Sequence, residues 1–142
     1  MKSKIFAVRN QALSVDLVLL LLRLIMGAAF IIHGMGKIEN PFHWMGDQAA
    51  VPGFFQFLAA ISEFGGGIAL ILGLLTALGS LGLVCTMLVA VSVHCFALGD
   101  PFVNPKGGGS YELASVYFAL ALLFLIGGAG RFSLDRKIFG TK

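Results

Sequence analysis

The sequence predicts an all-α fold, an integral membrane four-helix bundle running up-down-up-down. Three observations predict it. Hydrophobic residues make up 58% of the 142 residues before its 19 glycines are counted, against about 45–50% with glycine included in soluble proteins. Charged residues stand at 12%, about half the usual quarter, and mean hydropathy is +0.93. The apolar residues also fall in four long runs without the period-two alternation of a membrane strand. A soluble globule of this size could not hide that much apolar surface. The same composition excludes a disordered chain and a disulfide-stapled secreted domain.

Helix 1 is expected over Ser14–Gly36. Its apolar run is too long for a signal peptide, Arg23 interrupts it and no small-residue cleavage site closes it, so it reads as a span. Helix 2 is expected over Phe54–Leu74, with Gly65, Gly66 and Gly67 in mid-span for close backbone approach. Helix 3 covers Ala77–Leu98 and carries Gly82, Thr86 and Ala90 as a small-residue run. Cys85 and Cys95 both fall in it, about 15 Å apart along the axis, too far for a disulfide. Helix 4 covers Tyr111–Ala129. The turn around Leu75–Thr76 is so short that helices 2 and 3 must form an antiparallel hairpin. Asn40–Gly53, with Trp44 as an interfacial anchor, and Gly99–Ser110 read as longer loops. A helical domain over 14–130 is thus flanked by an N-terminal segment, 1–13, and a basic tail, 131–142.

Basic residues set the expected orientation. Lys2, Lys4 and Arg9 precede helix 1, and Arg131, Arg136, Lys137 and Lys142 follow helix 4, whereas the two long loops hold only Lys37 and Lys106. This asymmetry places both termini in the cytoplasm. The net charge of +3 reads as topology, not as a nucleic-acid footprint.

Ionisable groups inside the spans carry the functional expectations, because each costs at least about 2.5–3.5 kcal/mol at the bilayer centre. They are Arg23, His33, Glu63 and His94, with Lys37 and Glu112 at helix ends. Arg23, Gly27, Phe30, Gly34 and Lys37 share one stripe of helix 1. Arg23 and Glu63, each near the middle of its own span, are expected to meet as a buried pair. Such a pair either fixes helix register, handles a proton or orients a ligand headgroup. His33, Lys37, His94 and Glu112 converge at the other, outer end, where both long loops lie, and that half is expected to be the functional one. No HxxxH or ExxH spacing sets two ligands on one helix, so no metal site is expected. No dinucleotide, P-loop, flavin, haem-attachment or iron–sulfur motif is visible.

In combination these motifs resemble the DoxX family of small four-helix membrane proteins. The resemblance rests on RLIMGAAFIIHGMGK in helix 1, on VPGFFQFLAAISEFGGGIALILGLLTALGS, on the VHCF end of helix 3 and on the closing GGAGRFSLDR. It covers nearly everything from Leu17 to Arg136. It implies a link to quinone-coupled or thiol redox chemistry alongside soluble redox partners. The extra domain that a self-contained thiosulfate oxidase would need is missing from the sequence.

The expected function is therefore a redox-associated membrane subunit that binds a quinone-like lipid. Glu63, His33 and His94 are its candidate catalytic groups, and Arg23, Lys37 and Glu112 its candidate ligand-binding groups. Electrons would come from a partner redox protein, soluble or membrane-bound. Membrane lipid and a second copy of the chain are further partner classes, and nucleic acid is not one. The alternative is a non-catalytic scaffold or assembly factor whose buried charges only specify packing. Solute transport is disfavoured, because no inverted repeat provides for alternating access.

Overall fold

The computed structural model describes residues 6–46, 49 and 51–141 and is all-helical. Lys2, Lys4 and Lys142 of the charge asymmetry lie outside the described residues. Among the described residues five helices follow in order: α1 Leu13–Glu39, α2 Gly53–Leu72, α3 Thr76–Ser92, α4 Glu112–Gly127 and α5 Leu134–Phe139. A π-turn over Val93–Ala97 continues α3. With that extension, α1, α2 and α3 are each long and apolar enough to cross a membrane. α4 is 16 residues, or about 24 Å, shorter than the expected Tyr111–Ala129 run. Gly128, at φ +79°, ends it, in a conformation that L side chains rarely adopt.

α1 packs on α2, α2 on α3 and α3 on α4. Leu19, Met26, Phe30, Leu70, Leu83, Met87, Ala121 and Phe124 form the shared core. Large apolar side chains such as Ile25, Ile32, Phe54, Leu78 and Ile126 point outward, the inverse of a soluble protein and the arrangement hydrocarbon requires. In such a solvent close van der Waals approach holds helices together, and the glycines permit it. Gly67 faces α1 at Gly27 and Ile31, Gly66 faces α3 at Gly79 and Leu83, and Gly65 points away from both. α2 thereby sits between α1 and α3. A Cβ at Gly34 would stand 2.6 Å from the Phe64 backbone nitrogen, whereas one at Gly36 would meet nothing within 4 Å. Gly34→Ala should therefore destabilise by about 1–3 kcal/mol through forced separation of α1 and α2. Gly36→Ala should fall within about 0.5 kcal/mol of wild type. Denaturant unfolding in detergent checks the pair, and equal effects at the two sites would disprove this packing.

These glycine contacts also overturn the expected Arg23–Glu63 pair. Gly34 lies against Phe64, and Gly27 against Gly67 and Ile71. Extending that antiparallel register sets Arg23 level with Leu75 and Glu63 level with Met35, so the two charges are about 18 Å apart along the axis. Arg23, 1% exposed, instead caps the hairpin end of the molecule. Its Nε donates to the Leu70 carbonyl at 2.7 Å and Nη2 to Ile71 at 3.0 Å. Nη1 donates to Ala129 and Phe132, both at 2.8 Å. Leu70 and Ile71 belong to the last turn of α2, where carbonyls lack the i+4 donors of a continuing helix and the helix dipole favours a cation. Leu70 also accepts from the Gly73 N–H at 3.2 Å.

The opposite charge stands at the adjoining helix start. Asp135 accepts from the Leu75 N–H at 2.7 Å and the Thr76 N–H at 2.9 Å, capping the first turn of α3. Gly73, at φ +61°, makes the turn between them, and a Cβ there would run into the Arg23 guanidinium. Asp16 of α1 accepts from the Arg131 N–H at 2.8 Å, and Ser133 N-caps α5 through the Arg136 N–H at 3.2 Å. The basic tail is thus docked on the helices by the GRFSLD segment and does not trail from them.

Candidate functional site

At the opposite end, where the two loops lie, a half-open cavity of about 250 Å³ is lined by all four long helices. Four of the six sequence-predicted site residues reach it: His33 and Lys37 from α1, Glu63 from α2 and His94 from the π-turn. Arg23 is at the far end. Glu112, exposed in the first turn of α4, does not line the cavity, and that turn contributes Leu113 and Ala114 instead. Phe30, Met87, Ala90, Ser110 and Tyr117 complete a wall that is part apolar and part polar.

Two polar pairs flank this wall. The Lys37 ammonium donates to both Glu63 carboxylate oxygens at 2.6 Å. The Glu63 side chain is 4% exposed and that of Lys37 24%. Lys37 lies on the helix-1 stripe that also carries Arg23, but it is the member whose depth matches Glu63. It also stands 4.4 Å from the centre of the Trp44 ring, a cation–π contact that further stabilises the charge away from water. Trp44 is in turn held by its indole N–H on the Gln56 carbonyl at 2.9 Å. Gln56, 3% exposed, also holds Met45 and Val51. Its Oε1 accepts from the Met45 N–H at 3.0 Å and its Nε2 donates to the Val51 carbonyl at 2.8 Å.

The second pair is His94 Nδ1 with Asp100 Oδ2, 2.6 Å apart. Sequence reading missed Asp100, because a GDP in a glycine-rich loop looks like turn chemistry. The π-turn that carries His94 was hidden as well, since its composition is that of the helix before it. Its signature is the Leu98 N–H bonding back to the Val93 carbonyl at 3.0 Å. Such turns concentrate at functional sites because they re-aim side chains. Across the cavity His33 stands edge-on to Tyr117, ring centroids 6.5 Å apart, and Phe30 packs on the same tyrosine at 4.9 Å.

The arrangement offers a carboxylate-oriented imidazole, a neutralised lysine–carboxylate pair, a second histidine and a phenol around an aromatic pocket. An engineered cavity of about 150 Å³ takes up benzene, so this volume accommodates a substituted six-membered ring. Among the described residues no group of three or more His, Cys, Asp or Glu stands close enough to hold a metal ion. Cys85 and Cys95 are both free thiols.

Comparison with known proteins places the chain. It is 37% identical over 120 residues to an uncharacterized protein of Haemophilus influenzae Rd, a match covering 83% of this chain and 88% of the relative. It is 37% identical over 132 residues to the inner membrane protein YqjF of Escherichia coli K12, covering 87% and 93%. No solved structure matches it significantly. The DoxX family model matches residues 18–95, a stretch that carries the α1–α2 glycine register, the Lys37–Glu63 pair and His94. The chain belongs to the DoxX family.

Proposed function

We propose that the protein is an inner-membrane subunit that binds a quinone-like lipid in the loop-end cavity and works with a partner redox protein. Its four long helices cross the bilayer up-down-up-down, with residues 14–130 as the spanning domain. Both termini face the cytoplasm, so the cavity lies in the outer half. The YqjF relative, an inner membrane protein, supports the location, and the basic residues at the hairpin end support the orientation. One observation carries the ligand reading. Two carboxylate-paired side chains able to exchange protons, Lys37 and His94, line one half-open cavity with both polar and apolar walls.

A quinone headgroup needs an apolar slot for its ring and groups that exchange protons near its oxygens, while its isoprenoid tail stays in lipid. Reduction takes up two electrons and two protons. His94 and the Lys37–Glu63 pair serve the protons, with His33 at the cavity wall, and the partner protein supplies the electrons. Arg23 and Glu112, the other two candidates, lie outside the lining of this cavity. A scaffold would need no such cavity chemistry.

Solvent extraction of gently purified protein followed by mass spectrometry tests the reading. A quinone should co-purify in near-stoichiometric amount, and His94→Ala should lower its occupancy about tenfold while the protein still folds and elutes as a single species. Quinone no higher than in an unrelated membrane protein of similar size would overturn it.

A further inference from the structure

We propose that Asp100 is a positioning residue for His94. It holds the imidazole proton on Nδ1, so that Nε2 is the atom that exchanges a proton with a ligand oxygen. An ionised carboxylate only accepts hydrogen bonds. At 2.6 Å from Asp100 Oδ2, Nδ1 therefore carries hydrogen whether the ring is neutral or cationic. Nε2 has no protein partner among the described residues, and His94 lines the cavity. When the ring is neutral Nε2 accepts, and when it is cationic Nε2 donates. The matching ligand oxygen is a hydroxyl in one state and a carbonyl in the other. That is the chemistry of a hydroquinone–quinone couple, and this last step rests on the function proposed above. On reduction the partner protein supplies the two electrons, and Nε2 of the cationic ring gives one proton to a ligand carbonyl. That carbonyl becomes the hydroxyl from which the neutral ring then accepts. The Lys37–Glu63 pair serves the second proton, and Asp100 keeps its charge throughout.

The local structure is built to make this contact. The Asp100 backbone N–H donates to the His94 carbonyl at 2.9 Å, so residue 100 grips residue 94 by main chain and side chain together. The π-turn offsets His94 from the regular helix. The returning strand of the loop crosses directly over the carboxylate at Gly109, where any Cβ would collide with it. Asn104 closes the loop, donating to the Gly109 carbonyl at 3.2 Å, and the Tyr111 N–H donates to the Pro101 carbonyl at 3.3 Å. The glycine run in this loop is thus needed for space beside Asp100 as well as for turning.

The test is nitrogen NMR of protein labelled with 15N-histidine in lipid nanodiscs, with His94 assigned by its loss in His94→Gln. At a pH where the ring is neutral, wild-type His94 should show a protonated Nδ1 and a bare Nε2. Asp100→Ala should return it to mainly the Nε2–H form that imidazole side chains favour in solvent. Gly109→Ala, which displaces the carboxylate without removing it, should move the signals the same way. Affinity for a short-chain alkyl hydroquinone should fall about tenfold in Asp100→Ala. A wild-type His94 protonated at Nε2, or a spectrum that Asp100→Ala leaves unmoved, overturns the proposal. Failure of the wild type to bind the hydroquinone, with the tautomer change intact, sinks the quinone reading and leaves the hold of Asp100 on His94 standing.

Discussion

Arg23→Ala should lower stability by about 3–5 kcal/mol, the scale of losing several hydrogen bonds made by one buried charged group, and should strip the protein from membranes in cells. The substitution removes four hydrogen bonds at once, on the carbonyls of Leu70, Ile71, Ala129 and Phe132, of which Leu70 keeps a backbone donor in Gly73. Ala129, which is 1% exposed, then loses the full worth of its bond, because a buried carbonyl gets no compensation from water. The loss also uncouples the end of α2 from the segment after α4, since one guanidinium bridges both. Arg23→Lys should fail to rescue, because an ammonium is a point donor and cannot span two helix ends with a planar fork. Reversible unfolding in mixed micelles measures both variants. A loss below about 1 kcal/mol for Arg23→Ala, or full rescue by lysine, would show that the capping geometry is not what holds this end together.

Removing Lys37 should be more harmful than removing Glu63, although the two form one pair. Lys37→Ala leaves a carboxylate that is 4% exposed without its cation, and a loss of about 3–5 kcal/mol follows. Glu63→Ala leaves an ammonium that is 24% exposed, still rests on Trp44 and can extend its four-carbon stem toward water. About 1–2 kcal/mol is expected there, the cost of the lost bonds without a fully stranded charge. The double variant Lys37→Met/Glu63→Gln should recover most of the loss, because neither buried charge then lacks a partner. A double-mutant cycle on unfolding free energies reads this directly. Additive single effects would mean that the pair is not coupled, and the reverse order of severity would mean that Lys37 is the better buried member.

Much of this molecule is determined by the sequence alone, wherever the deciding interaction is with the solvent or within one helix. The apolar runs exclude water on composition, the turn at Leu75–Thr76 is too short for anything but a hairpin, and the helical period puts Lys37 on the stripe of Gly27 and Gly34. For the same reason His33, Lys37, Glu63 and His94 stand out as polar groups that cost free energy in hydrocarbon, and all four line the cavity. Only the tertiary structure decided which charge meets which. Estimating each residue's depth from the middle of its own span put Arg23 beside Glu63. The true register is set between helices, by Gly34 against Phe64 and Gly27 against Ile71, and no period within one helix encodes it. Arg23 binds backbone carbonyls, which carry no side-chain signature, and Asp135 and Asp16 act across about 60 and 115 residues of chain. Asp100 reads in the chain as turn chemistry, because a carboxylate becomes the partner of His94 only once a π-turn and a glycine crossing have brought the loop back over the ring.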